Sequence, residues 1–178
     1  MILFGLILIK SKFEIKPIAE EHLVIIESYI NQDWGNLQKH RERFERQKTG
    51  ELTYLIAWIN NKPTGHASLE WQGKSHKALS SIVGPCPNID DLFVHPDHRS
   101  SGIGTLLLQT SEQIANDRNY PQIGLGVSID NIRARTLYET LGYKDIGAGD
   151  YIDRWKYTER DGSQAWHVET CNYLVKNI

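Results

Sequence analysis

The sequence predicts a single α/β domain, a mixed and mostly antiparallel sheet flanked by helices, and three observations carry that expectation. Two pairs of strand-forming runs, 54–59 with 65–71 and 151–158 with 166–175, are each closed by turn residues, so each reads as a hairpin. A run of apolar character, Ile89 to Val94, breaks at His95-Pro96 into a glycine-containing loop that opens an amphipathic helix. The chain has 178 residues, 40% of them apolar, which suits one core at about 100–200 residues per domain.

The elements follow in order. Met1 to Ile9 are apolar throughout, shorter than the ~20 residues of a membrane span and without the flanks of a signal peptide. They read as an extra strand, a docking tail or the product of an upstream start codon, so residues 1–12 are an apolar N-terminal extension to a domain spanning 13–178. Phe13 to Lys16 form a first strand stopped by Pro17, and a helix follows with Glu20 and Glu21 in its first turn and Leu23, Ile26 and Ile30 on one side. A second helix starts after Asn36 and ends at Gly50, with Leu37, His40, Phe44 and Gln47 inward. Its Lys39, Arg41, Arg43, Arg46 and Lys48 are either a solvated face with internal ion pairs or a patch for an anionic acceptor or the phosphates of a ligand. Asn60-Asn61-Lys62-Pro63 turns the first hairpin, and Gly73 to Asn88, without periodicity, reads as a loop over the sheet. Ile103, Leu106, Leu107, Ile114 and Ala115 are spaced for one helical face, a strand runs from Ile123 to Val127, and the closing hairpin turns at Glu159-Arg160-Asp161-Gly162.

Arg99-Ser100-Ser101-Gly102-Ile103-Gly104 joins that strand to its helix. Glycines there let backbone approach a ligand, and a helix start offers free N–H groups to an anion, so a pyrophosphate fits. Two nucleotide motifs are excluded. A P-loop needs Lys-Ser/Thr after its last glycine, where this chain has Thr105-Leu106, and the dinucleotide fingerprint needs a third glycine where Leu107 stands.

The segment resembles the acyl-CoA-binding motif of the GNAT acetyltransferase superfamily, Q/R-x-x-G-x-G/A, with its preceding Val-x-Pro-x-x-Arg as Val94-His95-Pro96-Asp97-His98-Arg99. The second half of that signature is present as Gly124-Leu125-Gly126-Val127, Asn131, Leu137-Tyr138-Glu139 and Leu141-Gly142-Tyr143. The resemblance implies a GNAT-type domain with a twisted sheet and splayed central parallel strands, here Ile89 to Val94 and Ile123 to Val127, and acetyl-CoA as cosubstrate. It implies that Leu92, Phe93 and Val94 border the pantetheine arm, that Leu92 and Val94 pair with it through backbone groups, and that Arg99, Ser100, Ser101, Gly102, Ile103, Gly104 and Thr105 cradle the pyrophosphate. Asn131 would tether the arm; read on its own it is a loop residue or helix cap, and both roles are compatible. Tyr138 would supply a proton to the departing thiolate, against a core-packing reading of a Leu-Tyr pair on an amphipathic helix.

Direct transfer to an amine also asks for a base. An alkyl amine of pKa about 10.4 is neutral in about one molecule in 2,500 at pH 7, a penalty of roughly 4–5 kcal/mol. Asp90 and Asp91 are the candidates, because Asp90-Asp91-Leu92-Phe93-Val94 is similar to the Glu-Asp-hydrophobic-Phe-Val run of spermidine/spermine-type acetyltransferases. Asp90 aligns with the leading acid and is preferred, its alternative being an acid that caps backbone or pairs with a lysine. Strand alternation places the two carboxylates on opposite faces. Relatives that modify protein N-termini carry Leu-Glu-Val where this chain has Leu125-Gly126-Val127, and Gly126 is expected to leave room beside the thioester. Ser100 departs from the family's usual glycine, at a position that contributes mainly backbone N–H.

Other features narrow the function. Net charge is −2, so neither nucleic acid nor an anionic membrane is expected as partner. Cys86 and Cys171 suit a reducing cytoplasm, and the seven histidines lack metal-ligand spacing, so no metal is expected. His95 and His98 read as loop-surface residues, and Trp58, Trp71, Trp155 and Trp166 as core. The expected activity is acetyl transfer to a primary amine of a small molecule or peptide, with a homodimer allowed for. The alternatives are a non-catalytic acyl-CoA-binding sensor and an interaction protein assembled through the apolar N-terminus.

Overall fold

A computed structural model describes residues 13–30, 38–159 and 161–178. The apolar extension, Asn36, Leu37 and Arg160 lie outside the described residues. The order is β1 (Glu14–Pro17), α1 (Leu23–Tyr29), α2 (Lys39–Lys48), β2 (Leu52–Ile59), β3 (Lys62–Glu70), α3 (Lys77–Val83), β4 (Asn88–Val94), α4 (Ile103–Asp117), β5 (Gln122–Ser128), α5 (Ile132–Thr140), β6 (Lys144–Asp145), β7 (Tyr151–Thr158) and β8 (Gln164–Asn177). Among the described residues these strands form one sheet in the order β1-β2-β3-β4-β5-β8, with β6 and β7 both on the far edge of β8. Only the β4–β5 pair is parallel; the other neighbours run antiparallel, as the two hairpins require. No helix among the described residues is long and apolar enough to cross a membrane.

Helices cover both faces. Ile103, Leu107 and Ala115 of α4 are buried with Leu55, Ala67, Leu69 and Ile89 on one side, while Leu23 and Ile26 of α1 and Phe44 of α2 are buried with Tyr54, Ile56 and Trp58 on the other. Leu108 is buried in α4 where Leu106 was expected, because rows four residues apart place Ile103, Leu107, Ser111 and Ala115 on the sheet and Leu108 beside them. The first hairpin turns on Asn60 and Asn61, with φ +48° and +62°, the twist-matched geometry for a tight turn and one that asparagine tolerates.

Three expectations need correction. The segment between Gly73 and Asn88 contains α3, whose Leu79 is buried against Tyr151, Cys171 and Tyr173; tertiary burial makes a helix that the segment's own pattern does not announce. Trp155 and Trp166 are 37% and 58% exposed, since no described element covers the outer face of the β7–β8 hairpin, whereas Trp58 and Trp71 are buried. On α2 the basic residues pair mainly across elements: Arg41 with Glu27, Arg46 with Glu51 and Glu70, and Lys39 and Arg43 with Asp91, while Lys48–Glu45 is internal to the helix.

His40 ties α2 to the sheet. Its Nε2 donates to the Ile30 carbonyl at 3.1 Å, which leaves Nδ1 of the neutral ring to accept from the Tyr54 hydroxyl at 2.9 Å. Burial is the main reason its pKa falls from 6.5 to about 4. With the folded pKa below the unfolded one, the stability that neutral His40 contributes is complete above pH 6.5 and is lost as pH falls through about 4, a loss on the order of 3 kcal/mol. His40→Gln should therefore show a shallower decline in Tm between neutral and acidic pH than the wild type, measured by calorimetry. A decline as steep as the wild type's would remove His40 from this role.

Candidate active site

The site begins where β4 and β5 part. They pair only at Asn88 with Gly124 and Ile89 with Leu125, so Asp90 to Val94 run on without a partner on β5 and form one arm of a fork. On its other edge β4 is irregular: Ser68 lies opposite Asp90 and His66 opposite Phe93, so Ala67 faces two residues, Asp91 and Leu92. Asp91 has φ +50°, a left-handed conformation that aspartate tolerates better than most residues. This is a β-bulge, and it bends the strand away from its parallel neighbour.

The bulge also corrects the expectation for the two acids. Asp90 is paired with Ser68, whose hydroxyl accepts from Arg43 at 2.6 Å, and Asp91 meets Lys39 at 2.6 Å and Arg43 at 3.0 Å. Both carboxylates therefore stand on the α1/α2 face of the sheet, because one inserted residue cancels one step of alternation. Their surroundings differ. Asp91 is the shared counter-ion of two cations and lies 3.6 Å from His66 Nδ1. Asp90 has no side-chain hydrogen bond or ion pair among the described residues. Burial lowers the Lys39 pKa, with Asp91 opposing, and it pushes fully buried His66 well below the usual histidine range, aided by the Lys39 charge.

At the other end of the fork lies a cavity of about 430 Å³. Its walls are Leu92, Phe93 and Val94 of β4, Arg99, Ser100, Gly102, Ile103, Gly104 and Thr105 of the loop and α4, and Asn131 and Tyr138, together with His98, Arg133, Ala134 and Leu137. Ser101 stands just behind, its hydroxyl donating to the His98 carbonyl at 2.5 Å. Ser100 and Gly102 both have positive φ, +61° and +91°, which curls the loop so that α4 starts facing the cavity. The first bond within α4 runs from Leu106 N–H to Gly102 O at 3.0 Å, so the N–H groups before Leu106 precede the ladder and are available to an anion.

Two arginines flank this cradle. Arg99 donates from Nε to the Val94 carbonyl at 3.2 Å, and Arg133 donates from Nη2 to Ser100 Oγ at 3.0 Å. Arg133 went unremarked in the sequence, although its place two residues after Asn131, in the first turn of the next helix, is the signal that could have found it. Asn131 caps α5, its Oδ1 accepting from Ala134 N–H at 3.1 Å, while also bordering the cavity. Tyr138 is buried, and its pKa is pushed up to about 12 by burial first and the Asp90 charge second, so it is a neutral phenol across the physiological range. His95 Nδ1 accepts from Asp97 N–H within its own turn.

Gly126 does not leave open space. A Cβ there would collide with the Tyr151 hydroxyl, which reaches over from β7. The second wall of the fork is thus a tyrosine where a β5 side chain would otherwise stand. Near it, Lys74 pairs with Asp153 at 2.5 Å and so joins the segment before α3 to β7.

Comparison with known proteins gives a consistent result. A family model described as the acetyltransferase (GNAT) family matches residues 20–143. An N-alpha-acetyltransferase of Saccharolobus solfataricus is 32% identical over 114 residues, 61% of this chain and 68% of that protein. Human N-acetyltransferase 8 is 30% identical over 89 residues, 43% of this chain and only 39% of the human protein. A putative acetyltransferase of Salmonella typhimurium, solved with its cofactor acetyl-CoA, superposes with a TM-score of 0.64 at 15% identity over 94% of each chain. A ribosomal-protein-alanine N-acetyltransferase of Brucella melitensis superposes with a TM-score of 0.65 at 16% identity, over 93% of this chain and 99% of that one.

Gly104 gives a direct test of the cradle. A Cβ there would meet Leu137 at 3.6 Å and Val94 at 3.8 Å, ordinary contacts, so Gly104→Ala should gain about 0.5–1 kcal/mol of stability in a helix. The motif admits alanine at this position and nothing larger, so Gly104→Val, whose branched side chain would enter the cavity, should lower acetyl-CoA affinity measured by calorimetry about tenfold or more, while Gly104→Ala should not. Unchanged affinity in a folded Gly104→Val would remove Gly104 from the cradle.

Proposed function

The chain belongs to the GNAT acetyltransferase family, and on that premise we propose that it is an acetyl-CoA-dependent N-acetyltransferase acting on a primary amine of a small molecule or peptide. The observation that carries this reading is the fork: an anion cradle and a neutral phenol on one side of β4, and at the point of divergence a carboxylate that makes no side-chain hydrogen bond or close ion pair among the described residues. Residues 13–178 form the transferase domain, with 1–12 as an extension to it. The buried, unbridged thiols of Cys86 and Cys171 support a reducing compartment, the cytoplasm.

Acetyl-CoA brings a thioester, an acyl donor that needs no metal. The chain's own groups divide the remaining work. N–H groups at the start of α4, with Arg99 and Arg133, hold the pyrophosphate, and the unpartnered backbone of Leu92 to Val94 holds the pantetheine arm and offers an N–H to the thioester oxygen. Asn131 borders the same arm. Tyr138, protonated at neutral pH, donates to the leaving sulfur. Asp90 takes the proton of the acceptor amine. Asp91, saturated by Lys39 and Arg43, fixes the bulge and does not act as base.

Relatives include N-alpha-acetyltransferases and a bovine thialysine N-epsilon-acetyltransferase, 34% identical over 58 residues, 33% of this chain and 34% of that protein. Both α-amines and side-chain amines therefore belong in the acceptor panel. The test is thiol release from acetyl-CoA with an alanine-ended tetrapeptide, Nα-blocked lysine, spermidine and an aminoglycoside; tight binding of acetyl-CoA without turnover on any of them would refute the enzyme.

Tyr138→Phe should lower kcat roughly 10²–10⁴-fold with acetyl-CoA affinity unchanged; a wild-type kcat would return this ring to core packing. Asp90→Asn should lower kcat/KM for an alkyl amine by about 10²–10⁴ at pH 7 and recover much of it at high pH, where free amine of pKa about 10.4 becomes abundant. The comparison is a rate profile from neutral to alkaline pH alongside Asp91→Asn. Loss without alkaline rescue would show that Asp90 does something other than remove a proton.

A further inference from the structure

Gly124 and Gly126 lie two residues apart on β5 and so share a face, and each stands beneath a tyrosine hydroxyl, Tyr173 over the first and Tyr151 over the second. The two phenols have different fates. The Tyr173 hydroxyl lies where β4 and β5 are still paired, and its electrostatics are coupled to the Cys86 thiol. The Tyr151 hydroxyl is buried without any hydrogen-bond partner among the described residues, on a side chain only 6% exposed. Gly126 is the first residue of β5 beyond the last β4 partner, so this hydroxyl stands at the fork. A buried hydroxyl with no partner is a standing cost to a fold and asks for an explanation.

The surroundings indicate what would satisfy it. Asp153 shares the strand face with Tyr151 and Asp90 stands across the fork; after burial, these charges and the neighbouring Cys171 and Tyr173 hold the phenol in its neutral form. The Lys74 ammonium already compensates these carboxylates, pairing with Asp153 at 2.5 Å and held charged by Asp90, so what the unpartnered hydroxyl oxygen lacks is a single N–H donor. His76, its ring 5.2 Å from that of Tyr151, and the Lys74–Asp153 ion pair hold this corner in place. Tyr151 is absent from the walls of the cofactor cavity, so it addresses the fork from the opposite side.

We infer that Tyr151 is an acceptor-binding residue: its hydroxyl oxygen accepts an N–H of the incoming primary amine and holds that nitrogen at the fork beside Asp90, the missing side chain at Gly126 being what lets the hydroxyl lie against β5 where the strands part. The inference rests on the acetyltransferase reading. It is tested by steady-state kinetics at saturating acetyl-CoA with the alanine-ended tetrapeptide, Nα-blocked lysine and spermidine. Tyr151→Phe should lower kcat/KM for the amine that is used about ten- to a hundredfold, with acetyl-CoA affinity unchanged and Tm unchanged or higher, since no bond within the protein is lost. Gly126→Ala, which must push the hydroxyl aside, should cause a loss of similar size, and the double variant should be no worse than either single one. Wild-type kcat/KM in Tyr151→Phe, a lowered Tm, or a double variant whose loss is the product of the two singles overturns the assignment. Wild-type protein that binds acetyl-CoA and uses none of the three amines overturns the acetyltransferase reading, and the role of Tyr151 with it.

Discussion

Everything at this site depends on the early end of pairing between β4 and β5. A parallel pair that stops after Ile89 and Leu125 leaves the β5-facing edge of Asp90 to Val94 without a strand partner beside a cleft, and peptide groups on such an edge demand partners. An extended ligand with its own amide groups answers that demand, much as an added strand would. The bulge at Asp91 keeps the arms apart: the extra residue bends β4, and the Lys39 and Arg43 ion pairs hold it in a left-handed conformation. The basic face of α2 is therefore part of the site's scaffold. It anchors the strand that carries the chemistry.

The same bulge explains how two adjacent aspartates acquire different work. Placed on one face by the inserted residue, they are separated by their neighbours. Two cations pair with Asp91 at 2.6 and 3.0 Å. Asp90 has no such partner, and its charge is felt by Tyr138, Tyr151 and Lys74 around the fork. Environment assigns the roles, as it does wherever paired carboxylates perform acid–base chemistry.

Much of this was legible in the chain, and the failures share a cause. The strand, glycine loop and helix from Ile89 to Ala115 are local features, written in alternation, turn chemistry and helical spacing, and a cavity does lie against Gly102 and Gly104. The facing of Asp90 and Asp91 was misread because the bulge is a relation between β4 and Ala67, and no residue of β4 announces it. The helix Lys77–Val83 depends on Leu79 burying itself against β7 and β8. Gly126 gave the plainest case: alone it implies space, yet the space is filled by Tyr151, 25 residues further on. Arg133 was within reach of local reasoning, since the first turn of a helix facing an anion cradle is where a cation belongs.

The two sides of the fork are consequently built under different rules. The cofactor side uses backbone N–H groups, a helix start and two short contacts from arginine, all fixed by local sequence and indifferent to most side chains. The acceptor side, on the role proposed for Tyr151, is assembled from the segment before α3 and from β7, elements distant in sequence that meet through Lys74 with Asp153 and His76 with Tyr151. Local chemistry thus specifies the donor of the acetyl group, whereas tertiary contacts specify its recipient, and this is why the motif in the chain declares acetyl-CoA and says so little about the amine.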